Sequence, residues 1–384
     1  VDFTLTAEQV RYRNLIRRFA QERIEPIARR LDEEGLYPSQ IVEEMRQLGL
    51  YGLTLPQEYG GSGVDSVTYC LALEELAKAA AGVAVIFAVQ NSIGAFTIDE
   101  YGTPEQKGEI LPKMATGEIL TSLALTEESA GSDAGNVQTT AVRDGEFYVL
   151  NGKKRFITNG KYANLHLVVA LTNPGRGKKG LSCILVPSNT PGFSVSKTMN
   201  PMGQRCSDNA ELEFDNCRVP AANLVGRENH GLGIVLRAFD GGRFSVAAIA
   251  LGCAQAAFEK SLTYAQKRVQ FGQAIIGFQS IEFMLAEMGT QLEAARLMIH
   301  RAASLKDRGL PYTKESSMAK LFATEAAEMV CHRAIQILGG AGYMRENDVE
   351  RYYRDQRVCQ IYEGTNQIQR WIVAIHLIKE FGAK

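Results

Sequence analysis

Phe147-Tyr148-Val149-Leu150-Asn151-Gly152-Lys153-Lys154-Arg155-Phe156-Ile157-Thr158 is the stretch whose reading decides the fold. Aromatic and branched residues alternate with polar ones, the pattern of strands with one face buried. Asn151-Gly152 is a strong signal for a tight hairpin, because both central positions of such a turn need positive φ. Residues 147–150 and 155–158 therefore read as two strands. Further β-rich segments follow at 165–171, 181–187 and 210–214, separated by Gly, Asn, Asp and Pro. From Thr121 to about Val225 the chain reads as a small antiparallel β domain, a sandwich or a barrel.

Both flanks change period. Upstream, Val10, Ile16, Phe19, Ile24, Ile27 and Leu31 recur along one helix face. Pro38 and Ser39 open a second amphipathic helix, which ends near Gly49. The run Glu58-Tyr59-Gly60-Gly61-Ser62-Gly63 is a loop, helices follow at 66–80 and 83–100, and Thr103-Pro104 starts another as N-cap and first helical residue. Downstream of Gly233, Ile281, Met284, Leu285, Met288, Leu292, Ala295 and Ile299 mark one apolar face. Segments 244–268, 278–307, 314–338 and 366–381 make four helices with short connections, the pattern of a bundle. The expectation is an α+β, mostly α chain: a helical domain over 1–120, a β domain over 121–232 and a four-helix domain over 233–384.

A chain of 384 residues is too long for one ordinary core. Its 45% hydrophobic and 22% charged residues are those of a globular protein. With a formal charge of −1 and no long basic stretch, nothing favours nucleic acid or an anionic membrane surface. The apolar run 79–96 is rich in Ala and Gly and contains Gln90 and Asn91, so it reads as a buried helix; a span needs roughly 20 strongly apolar residues. The N-terminal residues lack secretory-signal character. Cys70, Cys183, Cys206, Cys217, Cys253, Cys331 and Cys359 form no C-x-x-C pair, and the 5 histidines are isolated. Buried thiols in a reducing, intracellular setting are expected, and no metal site.

Gly175-Arg176-Gly177-Lys178-Lys179-Gly180 matches G-x-G-x-x-G, but the residues after it, Leu181 to Pro187, are strand-like rather than helical. A dinucleotide fingerprint needs the glycines to open a helix whose dipole meets the pyrophosphate. The match reads as a polar hairpin turn.

Three polar clusters are candidates for chemistry. Leu125-Thr126-Glu127-Glu128-Ser129-Ala130-Gly131-Ser132-Asp133 leaves backbone N–H groups accessible and offers hydroxyls at Thr126, Ser129 and Ser132. Arg155-Phe156-Ile157-Thr158-Asn159-Gly160 puts an aromatic ring and a hydroxyl at a strand end. In Tyr362-Glu363-Gly364-Thr365-Asn366 the carboxylate either complements the dipole of the last helix or, desolvated between packed helices, serves as a general base. Gly364 there allows close approach of a ligand to the backbone.

Together these clusters resemble the acyl-CoA dehydrogenase family over essentially the whole chain. The first looks like its leading signature, with Glu128 where Pro is usual. Phe156-Ile157-Thr158-Asn159-Gly160 looks like its flavin-stacking strand, with Phe156 where Trp is usual. Arg268-Val269-Gln270-Phe271-Gly272, Gln336-Ile337-Leu338-Gly339-Gly340-Ala341-Gly342-Tyr343 and Gln360-Ile361-Tyr362-Glu363-Gly364-Thr365 follow in the family's order. The resemblance implies helical N-terminal, middle β and C-terminal four-helix domains, and FAD shared across a homotetramer that is a dimer of dimers. It assigns the flavin ring to Leu125, Thr126, Gly131, Ser132, Phe156, Ile157 and Thr158. Arg268, Phe271, Gln279, Gln336, Gly339 and Gly340 take the phosphates and adenosine, and Thr365 and Gln367 also touch FAD. Ser132, Asp240, Arg243, Tyr362 and Gly364 fall where the family meets acyl-CoA.

Some members carry the catalytic base immediately before the arginine that corresponds to Arg243. Here that position is Gly242, which leaves Glu363 as base. The implied reaction is α,β-dehydrogenation: Glu363 takes the α proton, the β hydrogen leaves as hydride to the flavin, and electrons pass to an electron-transferring flavoprotein. Short or branched acyl groups are expected from Asp240-Gly241-Gly242-Arg243 and Met318-Ala319-Lys320-Leu321, with the pocket floor on the helix that carries Val85, Phe87, Val89 and Gln90. The rivals are an acyl-CoA oxidase, disfavoured by the compact length; a nitroalkane oxidase, which uses Asp as base; and a non-catalytic flavin-containing binding protein. The expected location is the cytoplasm of a bacterium or the mitochondrial matrix of a eukaryote.

Overall fold

The computed structural model describes residues 3–382. Its first third is helical: α1 (Ala7–Phe19), α2 (Glu25–Glu34), α3 (Ser39–Gln47), α4 (Ser66–Ala79), α5 (Ala81–Ala88), α6 (Phe96–Tyr101) and α7 (Pro104–Ala115). The helix starts lie where capping chemistry dictates. Thr6 and Gln9, and again Thr103 and Gln106, exchange side chain-to-backbone hydrogen bonds that satisfy otherwise orphaned N–H groups. A π-helical turn, Val89–Ala95, joins α5 to α6. The resulting run Ala81–Tyr101 is long and apolar enough to cross a membrane, but 94% of its most apolar window is buried inside the protein. It is a core helix, as its Ala-rich composition suggests.

The middle of the chain is one eight-stranded sheet: β1 (Thr121–Ala124), β2 (Thr140–Asp144), β3 (Phe147–Thr158), β4 (Leu165–Leu171), β5 (Leu181–Pro187), β6 (Phe193–Thr198), β7 (Asn209–Pro220) and β8 (Leu224–Val225). The order is β6-β7-β3-β2-β4-β5-β8, with β1 beside β4. Pairing is antiparallel except that β1 and the start of β2, at Thr140, run parallel to β4. Strands β4 and β5 are buried on both faces. Leu167, Val169, Cys183 and Leu185 meet a core shared with Ile98, Leu111 and Val235. Val168, Ala170, Ile184 and Val186 meet Tyr148, Leu212 and Phe214 from the far side of the curled sheet. The G-x-G-x-x-G run forms the connection between antiparallel β4 and β5, as expected.

The hairpin expected at Asn151-Gly152 does not form. Strand β3 runs through it without a break and pairs with β7 along its length, with a register slip between Leu150 and Gly152. The glycine serves close approach instead: a Cβ there would stand 2.7 Å from the Cα of Thr139. Asn151 uses its side-chain oxygen to accept from the Asn216 N–H at 2.8 Å.

The C-terminal part holds α8 (Gly231–Lys267), the short pair β9 (Val269–Gln270) and β10 (Gln273–Ala274), then α9 (Gln279–Asp307), α10 (Thr313–Leu338), α11 (Gly340–Tyr343), α12 (Val349–Arg357) and α13 (Asn366–Phe381). Helix α8 starts well before Phe244, because Gly231, Gly233, Gly241 and Gly242 blur its period. Helix α12 escapes the hydrophobic pattern altogether: it buries Arg351 and Asp355, and Arg354 pairs with Asp32 at 2.6 Å. Helices α4, α5, α8, α9 and α10 share the main core.

Candidate active site

Just before α13 the backbone turns sharply, with φ of 52° at Glu363 and 88° at Gly364. A left-handed conformation costs a non-glycine residue on the order of 1–3 kcal/mol, so it persists only where its surroundings impose it. Here they do. Lys320 donates to the Gly364 carbonyl at 2.7 Å, and Gln369 donates to the same oxygen at 2.8 Å and to the Glu363 carbonyl at 3.2 Å. Both side chains are fully buried, in α10 and α13. Among the described residues the Glu363 N–H meets no acceptor.

With its carbonyl held on one side, Glu363 sends its carboxylate toward α8, at Gly242. A Cβ on Gly242 would stand 2.8 Å from the Glu363 Cδ and closer still to Oε2. The residue as a whole is half-buried, yet Oε2 is enclosed and has no hydrogen-bond partner. Burial pushes the carboxyl up to about 7, against the lowering effect of the Lys320 and Arg243 charges. A carboxylate poised near neutrality, uncommitted to any protein donor, has the properties of a general base.

Beside it, Arg243 reaches Asp240 at 2.5 Å, and Asp240 accepts from Thr313 at 2.7 Å and from Arg237 at 3.4 Å. Burial holds Arg243 below its ordinary value, partly offset by the charges of Asp240 and Glu363. Here the Arg243 Nε and the Tyr312 hydroxyl are buried without hydrogen-bond partners. The Tyr362 hydroxyl is committed inward, accepting from Gln204 at 3.2 Å and lying 3.4 Å from the Cys359 Sγ. Only the ring and backbone of that residue are left for a ligand.

On the sheet side, Leu125 and Thr126 are fixed from below. The Lys154 ammonium, 0% exposed, donates to Leu125 O at 3.1 Å, Val169 O at 2.6 Å and the Glu127 carboxylate at 2.6 Å. That carboxylate also accepts from the N–H groups of Gln138 at 2.7 Å and Thr139 at 3.0 Å. The Arg155 N–H ties Thr126 O at 2.8 Å. Phe156 then turns out at φ 58° and is 59% exposed, with the Arg155 guanidinium 5.3 Å from its ring centroid, while Ile157 is buried and Thr158 half-buried. Asn159 joins this strand end to the helices, donating to Thr121 O at 3.3 Å and Ile86 O at 3.5 Å. Gly131 and Ser132 lie on an exposed loop.

The remaining predicted cofactor residues are spread over several elements. Arg268, Gln279, Gln336, Gly339 and Gly340 are exposed at the ends of α8, α9 and α10, and Phe271 is 94% exposed at the β9–β10 turn. Thr365 caps α13 and is half-buried; Gln367 is exposed. Gln90, expected on the pocket floor, is spent on β1, accepting from the Thr121 N–H at 2.8 Å. Phe87 is fully buried against Tyr69, with ring centroids 5.5 Å apart.

Residues 6–118, 122–217 and 229–378 match the N-terminal, middle and C-terminal domains of acyl-CoA dehydrogenase. The mitochondrial short-chain specific acyl-CoA dehydrogenase of Mus musculus is 44% identical, over 96% of this chain and 90% of its own. The chain belongs to the acyl-CoA dehydrogenase family. Among solved structures, the butyryl-CoA dehydrogenase of Megasphaera elsdenii superimposes with a TM-score of 0.97 at 40% identity, over 98% of this chain and 100% of that one. A chain in a structure described as the electron transferring flavoprotein of Acidaminococcus fermentans gives a TM-score of 0.97 at 41% identity, over 99% and 100%.

In this acyl-CoA dehydrogenase, the glycine at 242 does more than lack a carboxylate of its own. It vacates the volume that the Glu363 carboxylate fills, so a side chain there and the carboxylate in this position exclude each other. Gly242→Ala is expected to displace the carboxylate by an ångström or so and lower kcat about 100-fold, with folding and flavin content retained. Turnover of butyryl-CoA checks this, and a kcat within threefold of the parent would count against it. Residue reading missed Lys320, Gln369, Lys154 and Tyr312. For Lys320 a signal existed: it shares the small-residue stripe Ser316, Ala319, Ala323, Thr324 and Ala327, the buried face of α10.

Proposed function

We propose that this enzyme oxidises short acyl-CoA thioesters to trans-2-enoyl-CoA with Glu363 as base. The observation that carries the reading is the enclosed, unpartnered Oε2 of Glu363 above Gly242. Removing a proton α to a thioester needs a base near the working pH and a donor for the developing negative charge. Glu363 offers both from one residue: its carboxylate to the α proton, its free N–H to the thioester oxygen. One such donor is typically worth about 3 kcal/mol of barrier. Arg243 and Tyr312, with their orphaned Nε and hydroxyl, bind and orient the polar part of the substrate, together with Asp240, Ser132 and the backbone of Tyr362 and Gly364.

The residues also suit FAD. Phe156 presents an aromatic ring and Thr158 a hydroxyl at the end of β3, and Leu125, Thr126, Gly131, Ser132 and Ile157 border them. Arg268 has no carboxylate partner among the described residues, which fits the charge of a pyrophosphate. Phe271, Gln279, Gln336, Gly339, Gly340, Thr365 and Gln367 complete the set. Bound there, FAD supplies the two-electron acceptor for the β hydrogen, and an electron-transferring flavoprotein reoxidises it. Because Arg268 and Phe271 are exposed, the set is completed between subunits of a homotetramer. The exposed Trp371, Ile378 and Phe381 of α13 support such an assembly. Tyr69, close enough to Glu363 to feel its charge, packs against Phe87, and two buried rings there favour short acyl chains.

The test is anaerobic addition of acyl-CoAs from butyryl to palmitoyl to the FAD-loaded enzyme. Bleaching of the flavin is expected, with kcat/KM highest at the short end. No bleaching with any saturated acyl-CoA would overturn the reading.

A further inference from the structure

We propose that Lys320 is the positioning residue of the base: from inside α10 it fixes the turn that aims the Glu363 carboxylate, and it places beside that carboxylate a buried positive charge that no other acid neutralises. The inference deepens the reading above and rests on it only in taking Glu363 as the base.

The Lys320 ammonium is 0% exposed. Among the described residues it has no carboxylate within ion-pair distance, and its hydrogen bonds go to Gly364 O at 2.7 Å and Asn366 Oδ1 at 3.3 Å. Burying an ammonium on neutral oxygens is costly, and an apolar residue of similar volume would fill the same space more cheaply. The charge therefore has a use beyond packing. Five elements bring groups to the surroundings of Glu363. Helix α8 brings Arg243 and Asp240, α4 brings Tyr69, the segment after α12 brings Cys359 and Tyr362, α13 brings the neutral Gln369, and α10 brings Lys320. Two of these groups are cations. Arg243 spends its charge on Asp240 at 2.5 Å. Lys320 has no such partner, so Glu363 is the acid its field acts on. Burial pushes Lys320 down to about 8, with Cys359 and Glu363 opposing that shift. The ammonium is therefore charged at neutral pH, where it favours the ionised form of the base.

The geometric role follows from the backbone. Lys320 and Gln369 clamp Gly364 O from α10 and α13, and this clamp holds Glu363 at φ 52° with its side chain turned toward Gly242. Losing one of the two donors frees the turn toward ordinary φ.

Two variants of the FAD-loaded enzyme separate the roles. Lys320→Gln keeps a donor for Gly364 O but removes the charge; Lys320→Met removes both. The first readout is the infrared C=O stretch of the protonated Glu363, identified by its loss in Glu363→Gln and titrated against pH. The parent midpoint is expected near 7, and both variants should titrate at least one unit higher. The second readout is the acid limb of kcat/KM, which should move by the same amount, so that activity at pH 7 falls roughly fivefold or more and recovers at higher pH in Lys320→Gln. In Lys320→Met the plateau falls as well. An unshifted infrared midpoint in Lys320→Gln overturns the proposal. If the parent oxidises no acyl-CoA, the infrared titration still decides the role of Lys320, so the two readings fail separately. Should Lys320→Met not fold, Lys320→Gln alone carries the decision.

Discussion

Glu363→Gln is expected to keep its fold and its flavin content but to lose turnover by about 10⁴-fold, as read from the steady-state rate with butyryl-CoA against the parent enzyme. General-base catalysis contributes roughly 10²–10⁴-fold in most enzymes. The upper end is expected here because, among the described residues, the neighbouring groups are already committed. Gly242 holds no carboxylate, and Asp240 is occupied by Arg243 and Thr313. Lys320 is bonded to Gly364 O, and Tyr69 is fully buried, with its hydroxyl pushed well above the usual tyrosine range by burial. The amide has the same shape as the carboxylate, and the glycine cavity still admits it. The backbone N–H at 363 also stays in place, so substrate binding should be nearly unchanged. A variant that retained more than about 1% of turnover would remove Glu363 from the reaction.

Lys154→Met is expected to weaken the β domain by about 3–5 kcal/mol, because it strips one partner from a fully buried pair and leaves the other charged. In the parent, burial pushes Glu127 up, but the Lys154 charge and the hydrogen bonds from Lys154, Thr139 and Gln138 outweigh it, and the acid sits below its ordinary value. Without the lysine that balance reverses, and the carbonyls of Leu125 and Val169 also lose their donor. Because Leu125 and Thr126 border the proposed flavin position, FAD should be lost along with stability. The readouts are amide hydrogen exchange across 121–131 and 150–158 and the flavin-to-protein absorbance ratio. Adding Glu127→Gln to Lys154→Met should restore part of the stability, since the uncompensated charge is gone. Exchange rates in Lys154→Met equal to those of the parent would disprove this account of the loop.

The helical and β thirds were legible because their periods differ and because caps such as Thr103-Pro104 have a local cause. Strands β4 and β5 were found for the same reason: apolar runs bounded by turn residues. The features that escaped share one physical origin. Asn151-Gly152 carries turn chemistry, but pairing with β7 overrides it. Helix α12 buries arginine and aspartate, which a hydrophobic period counts as surface. The opening of α8 is hidden by glycines whose purpose, at Gly242, is to make room for a side chain more than a hundred positions away. On residue chemistry alone Glu363 reads first as a helix-dipole acid, and the resemblance, not its spacing, singled it out as a base. Lys320 and Lys154 were passed over because a buried lysine contradicts the pattern that marks a core.

The helix 81–101 carries a further implication for how the protein is made. It is apolar enough to pass for a membrane segment, and in the finished protein it is shielded in large part by α8, which begins at Gly231. During synthesis the first third of the chain therefore emerges well ahead of its cover, and for that interval its greasiest surface stays open to chaperones and to the insertion machinery. The last-made bundle does more than complete the enzyme: its arrival closes over the most apolar helix of the first third.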